Sequence, residues 1–399
     1  MPRLLIFTPT ANLQGGVERI LEALATHLPS RGFEVIFGLA KGVRFHDPRK
    51  FREAFPVIRG IDVDGTSGTA YGRRRALRRA ILQVDPDLVL IARIGEAYIA
   101  ASELKTEGHR LRLAVTIQAN EGDYFADLAR WRDFVDLCVT SGELAASEAR
   151  RELPSERVRS IPGGVAAPRR LVQHDPAAPL RIGYVGRLEQ VQKRILDLPL
   201  LVEELRRRGV PHSLVIAGGG SVQLGLPVLG WLSTAELYER VYPELDVLVH
   251  FAEWEGITIA PREAMAHGVV PVVSRFRGLD EEGQLLDERN ALVFPVGDIT
   301  AAADQLERLH HDRALLARLS NEARQSQRGI RSEQGAIDAW AEAFRAALAM
   351  PQRKGTMPPL HADSGLLTRL GVPQGMAELL RRIRRRPHGD AGSEWPHCS

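Results

Sequence analysis

The chain has 399 residues, too long for one ordinary core and comfortable for two domains. Its apolar share of 44% is that of a globular protein, and runs such as Leu88–Ala92 and Val247–Val249 fall far short of a membrane span. The net charge of +3 is unevenly placed: residues 351–399 hold eight basic and four acidic side chains, so the body is near neutral and lacks the basic face that nucleic acid requires of a partner.

Met1–Thr8 reads as a strand and a turn. It lacks the basic start, apolar stretch and small-residue cleavage site of a signal peptide, so a cytoplasmic address is expected. The spacing of Val17, Ile20, Leu21, Leu24 and Leu28 predicts a helix, ended by Arg31-Gly32. Val35–Leu39, Leu88–Ala92, Leu111–Ile117 and Leu137–Thr140 are apolar enough for strands buried on both faces. The two cysteines, Cys138 and Cys398, make neither a disulfide framework nor a thiolate zinc site. Val165–Pro179 holds Pro168, Pro176 and Pro179 without periodicity, as a linker does.

Alternation then resumes. Strand Leu180–Val185, helix Ile195–Arg208, strand Ser213–Ala217 and a helix Ser233–Tyr242 with capping-box spacing are followed by strand Val247–His250. A helix around Thr258–His267, strands Val270–Val273 and Ala291–Phe294, and closing helices up to Met350 complete the pattern. The expected fold is α/β, with two Rossmann-like parallel-sheet domains facing each other across a cleft. They span residues 1–165 and 180–331, joined by a linker at 166–179; a helix at 332–350 packs back on the first domain and a basic tail covers 351–399. Such sheets bind ligands at the carboxyl ends of their strands.

Three stretches place chemistry at those ends. In Phe251–Ser274, Pro261 is tolerated only in a helix's first turn, so the helix starts near Thr258 and ends at Gly268. Glu255 then precedes the helix and Glu263 lies on its second turn. The amides of Gly256, Ile257 and Thr258 form an anion site at the helix start, with a carboxylate on each side for sugar and ribose hydroxyls. By spacing alone, a surface helix with two solvated glutamates is the commoner outcome. In Tyr184–Lys193, Gly186 turns the chain at a strand end, and Arg187 and Lys193 can neutralise a diphosphate; a solvated basic turn is the alternative. In Asn12–Arg19, Gly15 and Gly16 let backbone approach a phosphate or sugar closely, although two glycines are more often only a turn.

Together these stretches resemble the large retaining glycosyltransferase family 4 of the GT-B fold. Gly15-Gly16-Val17-Glu18, Gly186-Arg187-Leu188 with Lys193, and Glu255 with Glu263 stand at its Gly-Gly-small-Glu, Gly-Arg-Leu…Lys and Glu-x7-Glu positions. Ile161–Val165, Ile216–Gly220, Val269–Ser274 and Ala291–Asp298 also fit, and the resemblance covers roughly residues 1–350. It implies transfer of a hexose from a nucleoside-diphosphate sugar to a hydroxyl acceptor, saccharide or lipid-linked, in glycan, polysaccharide or glycolipid synthesis. No cofactor and no metal are implied. Arg187 and Lys193 would grip the diphosphate beyond the Gly186 turn. Glu263 would hold the ribose, and Glu255 the sugar, beside the amides of Gly256 and Ile257. Gly16 would line the diphosphate or acceptor side and Trp231 the base.

Two departures stand out. Gln118 occupies the place of a first-domain histidine; it can hydrogen-bond a hydroxyl but cannot act as acid or base near neutral pH. Gln118 and Asn120 are the acceptor-side candidates. The run Arg275–Gly283 departs from the family's Gly and Glu spacing, so no acidic residue is assigned there. Rival readings are another two-domain sugar-nucleotide enzyme, such as an epimerase or phosphorylase, and a non-catalytic partner subunit that kept the fold. In the tail, Met376, Leu379, Leu380 and Ile383 share a helical face beside five arginines, so 376–386 suits peripheral contact with an anionic membrane. A partly disordered tail, or a helix docked on the protein itself, is the commoner outcome.

Overall fold

The structure, a computed structural model, describes residues 1–13, 15–119, 122–256 and 258–360, together with Met376, Leu379, Glu394 and Trp395. The chain divides into two compact units, Met1–Ile161 with Ile337–Ser399, and Pro162–Ala336.

The first unit is built on seven parallel strands: β1 (Arg3–Thr8), β2 (Glu34–Lys41), β3 (Gly60–Asp64), β4 (Leu88–Ile91), β5 (Arg112–Ile117), β6 (Leu137–Thr140) and β7 (Val158–Ser160). Their order is β3-β2-β1-β4-β5-β6-β7, so the direction of strand addition reverses between β1 and β4. Leu5, Leu90, Val115 and Val139 are wholly buried, as strands covered by helices on both faces must be. The first helix, Gly16–His27, turns Ile20, Leu21 and Leu24 inward and gives way to Pro29. The helix Ala70–Val84 is started by Thr69, whose hydroxyl accepts from the Gly72 N–H at 3.0 Å.

The last long helix, Glu333–Ala349, lies in the first unit from Ile337 onward. Phe344 meets Phe33 edge-on at 5.9 Å, Arg31 Nε donates to Asp338 at 2.8 Å, and Arg112 Nη2 donates to the Met350 carbonyl at 2.8 Å. Residues 351–360, where the sequence suggests the start of a tail, continue along this unit. The buried Asp136 carboxylate accepts from the Leu113 N–H at 2.8 Å and the Arg353 N–H at 2.7 Å, and it is paired with the buried Lys105. Burial lowers the Lys105 pKa to about 8 despite the attraction of Asp136. The stretch 376–386 lies outside the described residues except for Met376 and Leu379, both exposed. Among the described residues no helix is long and apolar enough to cross a membrane.

The second unit has five parallel strands: β8 (Leu180–Val185), β9 (His212–Ala217), β10 (Val247–His250), β11 (Val270–Ser274) and β12 (Leu292–Phe294), in the order β12-β11-β10-β8-β9. Here the reversal falls between β8 and β10. The helix expected over Ser233–Tyr242 is broken up. A single α-turn, Thr234–Glu236, opens under the Ser233 capping box, widens into a π-helical segment, Leu237–Val241, and tightens into a 3-10 turn, Tyr242–Glu244. Pro243, with no N–H to donate, lies within this last turn, where the π-helical bonding has already stopped. The widened turn brings Tyr238 and Tyr242 onto His267, with ring centroids 4.5 and 5.0 Å apart.

Candidate active site

In the second unit the loops after β8 and β10 lie side by side at the point where strand order reverses, the place where parallel sheets open a binding crevice. The β8 loop is fixed from two sides. The Tyr184 hydroxyl donates to the Arg187 carbonyl at 2.8 Å, and the amides of Gly186 and Leu188 donate to the carbonyls of Ala217 (3.0 Å) and Gly219 (2.9 Å). Burial, reinforced by nearby Glu255 and Glu189, pushes the Tyr184 phenol above its ordinary range, so it stays a donor. The glycines after β9 follow from this contact. A Cβ on Gly218 or Gly220 would overlap the carbonyl oxygen of Gly186 or Leu188, and one on Gly219 would overlap the Trp231 indole. Trp231 thus lies against the glycine run with 47% of its surface exposed.

The cations come next. Arg187 is exposed, and its guanidinium donates to the Gln192 side-chain oxygen. Gln192 donates in turn to the Trp254 carbonyl at 3.0 Å and accepts from the Glu253 N–H at 2.8 Å, which ties the β8 loop to the β10 loop. Glu189 accepts from the N–H groups of Gln192 (3.0 Å) and Lys193 (2.8 Å), closing the turn that carries Lys193. The Lys193 ammonium bonds Glu255 Oε1, and His250 Nε2 meets the same oxygen at 2.8 Å. The Glu255 side chain is only 5% exposed. Burial alone would raise its pKa; the Lys193 charge and the His250 bond outweigh that and bring it to about 2.

The following helix runs Ile259–His267 and stops at Gly268, whose φ of 87° is left-handed. Pro261 sits in the first turn, and Thr258 at the N-cap makes no side-chain cap bond. Ile257 lies outside the described residues, as does Asn120. Glu263 is buried and accepts from the Tyr242 hydroxyl at 2.7 Å. The solvated-glutamate alternative therefore holds for neither carboxylate. Arg187, Lys193, Glu255, Gly186 and Trp231 gather on adjoining loops, while Glu263 is bonded separately, to Tyr242.

At the reversal point of the first unit, Gly15 stands at the N-cap of the first helix, and the Glu18 carboxylate folds back against it where a Cβ would sit. Burial raises the Glu18 pKa, against its own amide and the charge of Arg93. Arg93 follows β4 with a left-handed φ of 66°, a strained conformation for a non-glycine residue. Gln118 follows β5, is buried, and donates its amide back to the Thr116 hydroxyl.

The sequence does not mark His250, Gln192, Tyr242 or Arg93 as site residues. The one signal for His250 is its place as the last residue of an apolar strand, and for Gln192 its place beside Lys193. Among the described residues no three His, Cys, Asp or Glu side chains gather in a metal-holding group.

Residues 14–169 match the family described as Glycosyltransferase Family 4, and residues 179–312 match that described as Glycosyl transferases group 1. No curated protein matches the chain at a significant level. Among solved structures, sucrose-phosphate synthase from Thermosynechococcus elongatus superposes with a TM-score of 0.69 at 15% identity, over 88% of this chain and 100% of that one. HepE from Anabaena, in complex with UDP and glucose, gives 0.66 at 14% identity over 87% and 100%. The lipopolysaccharide outer core galactosyltransferase WaaB gives 0.65 at 15% identity over 87% and 99%. At such identities the likeness is one of fold, and the fold is GT-B. The two family matches together take in most of the chain, which carries a family 4 glycosyltransferase domain followed by a group 1 glycosyltransferase domain.

Proposed function

We propose that the chain is a retaining glycosyltransferase that moves a hexose from a nucleoside-diphosphate sugar to a hydroxyl of a saccharide or lipid-linked acceptor. The observation that carries this reading is that the paired Lys193 and Glu255, and Arg187 bonded to the neighbouring Gln192, stand on the two loops that flank the reversal point of the second sheet.

Each residue has a task in that chemistry. Arg187 forks onto phosphate oxygens and Lys193 adds a point charge. Both stabilise the charge that grows on the leaving diphosphate, with the amides at Gly256–Thr258 in support; one such donor is worth roughly 3–4 kcal/mol of barrier. Glu255 is ionised at neutral pH, so it can only accept, which suits the sugar's hydroxyls. Glu263 takes the ribose hydroxyls, and Tyr242 holds its second oxygen in place. The acceptor hydroxyl enters on the face the diphosphate leaves, and a leaving phosphate oxygen takes its proton. A protein base is then unnecessary, in keeping with Gln118 where relatives carry histidine. The chain supplies its own cations, so the reaction is proposed to run without a metal.

The ligands named for HepE, UDP and glucose, support a nucleoside diphosphate and a hexose as the donor's parts. Gln118 favours one second reading, a partner subunit that binds donor without turning it over. Incubation with a panel of nucleoside-diphosphate hexoses, without acceptor, separates the two. Slow release of nucleoside diphosphate from one donor is expected, and binding with no release supports the subunit.

A further inference from the structure

The loops after β1, β2 and β3 gather at one carboxyl edge of the first sheet. Between β2 and the helix Pro48–Ala54, four successive backbone N–H groups converge on a single carboxylate, that of Glu394. Val43 donates at 2.7 Å, Arg44 at 2.6 Å, Phe45 at 2.8 Å and His46 at 3.3 Å. The Arg44 guanidinium stands 3.8 Å from the same carboxylate. Burial works to raise the Glu394 pKa, and the four amides more than offset it.

The loop is also shaped by bonds that do not involve Glu394. Gly42 donates to the His46 carbonyl at 3.0 Å, Thr10 donates from its N–H to His46 Nδ1 at 3.1 Å and from its hydroxyl to the Ala40 carbonyl at 2.6 Å. Asp47 caps the next helix through the Arg49 N–H at 2.9 Å. The carboxylate is thus a guest in a prepared cradle. It is delivered by the C-terminal segment, whose Trp395 is buried against Gly65, where a Cβ would overlap the indole.

Successive amides turned to one point are a general site for phosphate or carboxylate. We propose that the Val43–His46 cradle takes the charged group of an anionic acceptor, a phosphate or carboxylate, and that Glu394 occupies it in competition. That the anion belongs to an acceptor rests on the glycosyltransferase reading; the anion site itself does not. The rim fits an amphiphilic or saccharide-borne anion: Val43 and Phe45 are 54% and 61% exposed, and the Arg44 guanidinium lies 5.1 Å from the Phe45 ring centre.

The test uses the full chain as wild type, Glu394→Ala and Glu394→Gln, with Trp395 kept as the anchor. Inorganic phosphate is titrated while the amide resonances of Val43–His46 are followed. Saturable shifts confined to those four amides are expected in Glu394→Ala, at least tenfold tighter than in wild type, with Glu394→Gln also tighter. Four silent amides in both variants overturn the proposal and leave Glu394 as a structural latch. A short-chain lipid monophosphate and a sugar phosphate are then compared with phosphate; tighter binding of one names the source, and weaker binding of both overturns the acceptor role. Phosphate binding in a chain that turns over no donor keeps the anion site and removes the transferase reading. Turnover with silent amides removes the site alone.

Discussion

Lys193 and Glu255, 62 residues apart in sequence, form an ion pair at the reversal point of the second sheet, and His250 completes it from the end of β10. The Lys193 charge and the His250 bond keep Glu255 ionised, the form in which the proposed reaction uses it as an acceptor for the sugar's hydroxyls.

Arg187 and Lys193 should therefore respond differently to truncation. Arg187 is exposed, so Arg187→Ala should leave the melting temperature unchanged while turnover falls about 100- to 1,000-fold. Lys193→Ala strands a buried carboxylate and should cost stability as well, on the order of 3–5 kcal/mol. Thermal melts beside steady-state rates check both. Equal melting temperatures for the two variants would contradict the ion pair.

The pH dependence has a definite sign. Glu255 titrates near the ordinary 4.5 when unfolded and at about 2 when folded. Its stabilisation, on the order of 3 kcal/mol, is complete above pH about 4.5 and is lost as pH falls towards about 2. Urea melts between pH 7 and 2.5 should show that loss in wild type and a shallower one in Glu255→Gln.

Glu263 is expected to act through an orientation that Tyr242 sets. Tyr242→Phe removes the bond at 2.7 Å and should raise the donor KM roughly tenfold with kcat little changed, since a hydrogen bond to a charged group is worth about 1.5–3 kcal/mol. Glu263→Gln should do at least as much. A kcat defect with KM intact would place Glu263 elsewhere than on the ribose.

Gly218 should tolerate no side chain, because a Cβ would meet the Gly186 carbonyl and lift the turn that carries Arg187. Gly218→Ala is expected to lower both stability and affinity for nucleoside diphosphate, read by melts and calorimetry on the same sample.

Chelation should leave turnover unchanged. Activity lost in EDTA and restored by a divalent cation would show that Arg187 and Lys193 do not suffice.

Much of the fold was legible because central strands announce themselves. β4 is a continuous apolar run and β6 is apolar up to Thr140, and Pro261 with Gly268 brackets the helix that follows Glu255. β3 and β7 escaped because they are sheet edges with half-exposed residues, and so carry no such run. At the site, the sequence marks Arg187, Lys193, Glu255 and Glu263 singly by their places near strand ends. It cannot mark that Lys193 meets Glu255, that Gln192 bridges to Trp254, or that Tyr242 meets Glu263, because those contacts exist only once neighbouring loops are packed. The π-helical widening that points Tyr242 at Glu263 has no periodic signature either. Glu394 is the extreme case: an acid near the end of a basic tail gives no hint of four amides more than 300 residues away.

The most direct measurement is calorimetric titration of nucleoside diphosphates, and of the matching nucleosides, into wild type and Arg187→Ala. One diphosphate should bind the wild type and lose at least tenfold in affinity in the variant, while its nucleoside binds both alike. Equal diphosphate affinity for the two proteins would contradict the claim that this loop grips the donor's phosphates.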